Sequence, residues 1–81
     1  MLLAIDIGNS NLSLGVFEGA TLRLRAKLSA QTERSADEYE AVLYDLLRMN
    51  GLSREVLTGC MLSSVVPELT DLVETAVGCL T

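Results

Sequence analysis

Apolar residues alternate with others over Leu12–Phe17 and again over Leu22–Leu28, and recur at helical spacing from Tyr39 to Leu47. That single change of period constrains the fold more than any other feature of the chain. Period two marks a strand with one face on a core, and the longer period marks a helix with one apolar stripe. In Leu12–Phe17 the residues Leu12, Leu14 and Val16 are expected on one face, with Ser13, Gly15 and Phe17 on the other. In Leu22–Leu28 the residues Leu22, Leu24, Ala26 and Leu28 are expected to meet the core, while Arg23, Arg25 and Lys27 meet water. A strand with so charged a face resists pairing with another chain, which suits the outer position of a meander. "EGAT" (Glu18–Thr21) joins the two strands as a hairpin turn with its glycine at 19. Ahead of them Leu2–Ile7 is almost continuously apolar, as in a central strand buried on both faces.

The second half follows the longer period. "SADE" (Ser35–Glu38) has the form of a capping box, in which the serine hydroxyl and the glutamate carboxylate each satisfy an orphan backbone N–H. The polar loop Ser29–Ser35 precedes it. Behind it Tyr39, Val42, Leu43, Leu46 and Leu47 lie on one helical face. The helix is expected to end near Asn50, with Gly51 as the left-handed residue beyond it. Leu57–Val65 reads as a second buried strand, and its helical crossover makes it parallel to the first. Pro67 opens another helix, whose buried face is Leu69, Leu72, Val73, Ala76 and Val77. The order is β-β-β-α-β-α, an α/β fold: a three-strand antiparallel meander, then helix, parallel strand and helix. One more parallel strand is expected to follow, so the 81 residues read as a single, incomplete sheet domain over residues 1–81.

Charge and cysteine content remove several function classes. The net charge is -5 and the pI about 4.4, which disfavours nucleic-acid binding. Two cysteines, no histidine and no C-x-x-C leave no zinc ligand set. No secretory leader or membrane span is visible, and a cytoplasmic protein with free thiols is expected. Cys60 is expected in the core and Cys79 near a helix end. Hydrophobic residues make up 49% of the chain, enough for a packed core.

The position that fits a core worst is Asp6, since burying an unpaired carboxylate is costly. It stands at the end of the first strand, directly before Gly8, Asn9, Ser10 and Asn11. In sheets of this order ligands bind at the carboxyl ends of the strands, and "SSV" at the end of Leu57–Val65 is expected beside this loop. Gly8 is read as allowing a tight turn and the approach of a ligand. Consecutive N–H groups can form a concave anion site, and Asn9, Ser10 and Asn11 add short donors that reach phosphate oxygens. Asp6 would repel a bare phosphate, but it suits one with a magnesium ion, or a water on that ion, between them. The structural alternative is a hairpin turn whose Asp and Asn side chains bond their own backbone.

"AIDIGNSN", then "SADEY", then "LSSVVP" together resemble the N-terminus of type III pantothenate kinases. These belong to the acetate and sugar kinase/actin-like ATPase superfamily, with ribonuclease H-like domains. The resemblance runs along the whole chain. It departs mildly at Ser10, where the family more often has threonine. It implies a half-domain of the actin-like ATPase kind, with Gly8, Asn9, Ser10 and Asn11 lining the ATP phosphates and Asp6 holding magnesium, through water. It also implies pantothenate phosphorylation in coenzyme A synthesis, a monovalent cation such as potassium, and a homodimer. The family's catalytic aspartate lies in a Gly-x-Asp-Arg motif, and none occurs here. The chain is therefore expected to be an N-terminal part, inactive by itself, with the pantothenate and potassium sites elsewhere. Arg34 and Ser35 are assigned to loop and cap only. Two other readings stand beside this one: a non-catalytic accessory or regulatory protein of the same fold, and another phosphotransferase or ATPase of the superfamily.

Overall fold

The computed structural model describes residues 1–30 and 33–80, with only the backbone of 79 and 80. Strands β1 (Leu2–Ile7), β2 (Asn11–Glu18) and β3 (Thr21–Ser29) come first, followed by helix α1 (Ala36–Met49). Strand β4 (Gly59–Ser64) and helix α2 (Pro67–Leu80) complete the order. The sheet order is β3-β2-β1-β4. β1 pairs antiparallel with β2 and parallel with β4, so the pairing changes from antiparallel to parallel at β1. β3 and β4 are the outer strands among the described residues. The polar loop expected over Ser29–Ser35 includes positions 31 and 32, which lie outside the described residues.

Both helices pack on one face of the sheet. Leu3, Ile5 and Ile7 from β1, Leu12, Leu14 and Val16 from β2, and Leu24 from β3 meet Tyr39, Leu43 and Leu47 of α1 and Leu69, Val73, Ala76 and Val77 of α2. Each such Leu, Ile or Val contributes about 1.5–3 kcal/mol by leaving water. α1 begins as its sequence demands. The Glu38 N–H donates to Ser35 Oγ at 3.2 Å, and the Ser35 N–H donates to Glu38 Oε1 at 2.9 Å. Those bonds hold the Glu38 carboxyl below the usual glutamate range. It ends in a Schellman motif. Gly51 stands at φ +72°, the Gly51 N–H bonds the carbonyl of Arg48, and the Leu52 N–H bonds that of Leu47. No helix of the described residues is long and apolar enough to cross a membrane.

Four expectations need correction. β1 is buried on one face only: Leu3, Ile5 and Ile7 are enclosed, Leu2 and Ala4 are half-buried, and Asp6 is exposed. The reason is that α1 and α2 share a face, and among the described residues no element covers the other. Leu22 does not meet the core. β3 carries a bulge, because Val16 pairs with Leu24 but Phe17 pairs with Leu22. The extra residue, Arg23, shifts the alternation by one and turns Leu22 onto the open face, where it is 45% exposed. Cys60 is exposed, not in the core; it has the parity of the helix-bearing face but sits on an outer strand. Partial desolvation still pushes its thiol up. The apolar run Leu57–Val65 is a strand only over Gly59–Ser64, with a short 3-10 turn, Arg54–Val56, leading into it. Cys79 lies in the last turn of α2, and its side chain is outside the described residues.

Candidate functional site

Gly8, Asn9 and Ser10 connect the carboxyl end of β1 to β2, and three backbone hydrogen bonds hold the connection. The Gly8 N–H donates to the Asn11 carbonyl at 2.8 Å, closing the turn. The Ala30 N–H donates to the Ser10 carbonyl at 3.0 Å, tying the loop to the end of β3. The Val65 N–H donates to the Ile7 carbonyl at 3.1 Å, bringing the end of β4 alongside. The expected neighbourhood of the loop and the "SSV" segment is therefore present.

This turn is made by backbone alone. Among the described residues, the side chains of Asp6, Asn9, Ser10 and Asn11 have no hydrogen-bond or ion-pair partner, and neither do the N–H groups of Asn9 and Ser10. All four side chains are exposed. Asx-type bonding to their own backbone, the structural reason for such residues in turns, is thus not what these side chains do. The N–H of Gly8 is committed to Asn11, so any anion would draw on Asn9 and Ser10 instead. Gly8 makes this turn without a positive φ. A Cβ there would lie 3.4 Å from the Asn11 carbonyl oxygen, an ordinary contact. The glycine keeps the space above the loop clear and relieves no backbone strain.

Strand register places more residues around Asp6 than the linear sequence indicates. Asp6 pairs with Ser13 on β2 and with Ser63 on β4, and Ser13 pairs with Lys27 on β3. Residues directly opposite share a face, so Lys27, Ser13, Asp6 and Ser63 form one polar row across all four strands. The next row is Arg25, Gly15, Ala4 and Met61. The third begins with Leu22 and Phe17, which fold over Gly15; a Cβ at that glycine would meet the Phe17 ring at 3.2 Å and Leu22 at 3.4 Å. The open face thus grades from polar at the carboxyl end of β1 to apolar at the other end. It holds an open depression of about 1020 Å³. Asp6, Ser13, Lys27 and Ser63 line it, whereas Gly8, Asn9, Ser10 and Asn11 lie beyond its rim.

The donor set around Asp6 fits a hydrated magnesium ion. The Asp6 carboxylate stands between the hydroxyls of Ser13 and Ser63, all oxygen ligands and all without a partner among the described residues. Among the described residues no group of three or more carboxylate, cysteine or histidine ligands forms a protein cage. Magnesium does not need one, because it retains waters and takes one or two carboxylates plus phosphate oxygens. Ser64, next to Ser63, is occupied otherwise: its Oγ accepts from the Val66 N–H at 3.0 Å and shapes the turn into α2. Sequence reading found Asp6 and the loop but not Ser13, Lys27 or Ser63. Only pairing register unites them, and their spacing along the chain carries no motif.

A family model described as type III pantothenate kinase matches residues 2–80 of this chain. The type III pantothenate kinase of Moorella thermoacetica is 42% identical over 71 residues, covering 88% of this chain and 28% of its own length. That of Geotalea daltonii is 39% identical over 74 residues, covering 91% and 29%. That of Roseiflexus castenholzii is 40% identical over 70 residues, covering 86% and 28%. The chain thus spans less than a third of the length of these relatives.

Proposed function

The chain belongs to the type III pantothenate kinase family, and from that premise we propose that it is the ATP-phosphate-holding part of a kinase that phosphorylates pantothenate in coenzyme A synthesis. One observation carries the proposal. The side chains of Asp6, Asn9, Ser10 and Asn11 stand exposed and, among the described residues, without a partner, at the carboxyl end of β1, the strand that joins the antiparallel meander to the parallel strand β4. Open α/β sheets bind ligands beyond the carboxyl ends of their strands. The half-domain is read as ribonuclease H-like, of the actin-like ATPase kind.

Within that reading each residue has a task. Asp6 holds a water of the magnesium shell. The N–H groups of Asn9 and Ser10 and the side chains of Asn9, Ser10 and Asn11 orient phosphate oxygens, and Gly8 leaves room for them. Magnesium–ATP, when bound, would supply the transferable phosphoryl group and the cation that neutralises its charge. Phosphoryl transfer relies on positioning and electrostatics, and these residues provide positioning for one substrate. The general base is assigned to a Gly-x-Asp-Arg motif, which residues 1–81 lack. Pantothenate, the monovalent cation and the second subunit of a homodimer are assigned to the remainder of the enzyme, and no residue of this chain is given to them.

Nuclear magnetic resonance titration of the chain with magnesium–ATP tests the phosphate reading. Amide shifts are expected at Gly8–Asn11 and around Asp6; shifts confined to other regions, or none, would overturn it. An ADP-release assay tests the division of labour. No pantothenate-dependent turnover is expected from the 81 residues, because a general base typically contributes about 10²–10⁴-fold. Turnover would place the base within this chain.

A further inference from the structure

Lys27 carries a charge that the fold leaves unused. It is exposed, and among the described residues it has no ion-pair or hydrogen-bond partner. The other cations of β3 are placed differently. Arg23, the bulged residue, is committed to Glu18 at 2.6 Å. Arg25 stands one row away, opposite Gly15, where the neighbours are Ala4 and Met61. Lys27 alone shares a row with the carboxylate of Asp6.

The geometry points to Lys27 as a phosphate-binding residue that reaches over Ser13 toward a magnesium–polyphosphate held at Asp6; this rests on the phosphate reading given above. Adjacent strands lie about 4.8 Å apart, so two strand spacings put the Lys27 and Asp6 backbones about 10 Å apart. A lysine stem of four carbons carries its ammonium about 6 Å from the backbone. Lys27 and Asp6 do not form an ion pair with each other, and Ser13 stands between them. The gap suits a ligand bearing both signs of charge: a metal ion for Asp6 and phosphate oxygens for Lys27, with the Ser13 hydroxyl below. Among the residues lining the depression, Asp6 is the sole carboxylate and Arg25 the sole other cation. The charge on β3 also guards an outer strand against pairing with another chain. That role is served equally by Arg25 and Lys27, and the difference between the two separates the explanations.

The test is a titration of the 81-residue chain with magnesium tripolyphosphate, a probe without base or sugar, followed by the amide signals and by the Lys27 side-chain ammonium signal. Lys27→Gln is expected to weaken binding at least fivefold, Lys27→Arg to stay within twofold of the parent, and Arg25→Gln to lose less than twofold. Thermal unfolding of the variants is expected to match the parent, since both side chains are exposed. Equal losses at 25 and 27 would mean diffuse attraction and overturn the assignment. Unchanged affinity in Lys27→Gln, with Asp6→Asn weakened, would overturn the role of Lys27 and leave the phosphate site standing. Absence of tripolyphosphate binding to the parent chain would overturn both.

Discussion

Strand β2 has a turn at each end, and the two solve the same problem in opposite ways. The turn into β3 uses Gly19 and Ala20, with Gly19 at φ +60°, and an ion pair between Glu18 and Arg23 closes it. Its backbone needs a glycine and its charges neutralise each other. The turn from β1 has no positive φ, closes with one Gly8-to-Asn11 hydrogen bond, and leaves the side chains of Asn9, Ser10 and Asn11 without a partner among the described residues. The two turns thus differ in what their residues are committed to. Where the fold consumes the polar groups, the turn is structural. Where it does not, the groups are available to a ligand.

The largest expected effect lies at the free turn. Asp6→Asn should lower magnesium–ATP affinity on the order of tenfold to a hundredfold, the worth of a charge-assisted bond. Thermal unfolding should scarcely move, because Asp6 is exposed and unbonded. Calorimetric titration alongside a melting curve reads both, and a large drop in melting temperature with unchanged affinity would make the two turns alike.

Substituting the two glycines sharpens the contrast. Gly19→Ala forces a Cβ into the left-handed region and should cost about 1–2 kcal/mol, or several degrees of melting temperature, with binding unaffected. Gly8→Ala meets only the ordinary 3.4 Å contact. Its stability should stay within about 0.5 kcal/mol, while the added methyl weakens magnesium–ATP binding. Denaturant titrations of both variants decide this, and equal losses of stability would erase the distinction.

Ser10→Ala should weaken binding severalfold and leave folding intact, because its hydroxyl has no partner among the described residues. A decrease in stability instead would reveal a structural bond in the loop. The smallest effect belongs to the sealed turn. Arg23→Ala breaks an ion pair whose side chains are 40% and 59% exposed, and such pairs contribute about 0–1 kcal/mol. Raising the salt concentration should reduce even that, as measured by chemical denaturation of parent and variant in parallel.

Much of the architecture was legible because it is encoded locally. Ser35 and Glu38 lie one helical turn apart and cap each other, Gly51 ends the helix it follows, and Tyr39, Leu43 and Leu47 meet the core at the spacing of one helical face. These interactions span a few residues, so sequence distance and spatial distance nearly coincide. Asp6 and Gly8–Asn11 were legible for the same reason, as five polar or small residues around one strand end. The misplacement of Leu22 had no such local signal. The bulge at Arg23 depends on pairing with β2, and a single extra residue reverses every face beyond it.

By itself the sequence determined the order of elements, the caps and ends of α1, the apolar stripes of both helices, and the place of a short polar loop after β1. The tertiary structure decided what long-range pairing alone can decide. It placed both helices on one face, so that β1 kept an open side. It turned Leu22 outward and left Cys60 exposed on an outer strand. It also brought Lys27, Ser13, Asp6 and Ser63 into one row from four different strands. Side-chain periodicity is a property of one strand, whereas the neighbour across a sheet is set by register, and register emerges only when the strands have paired.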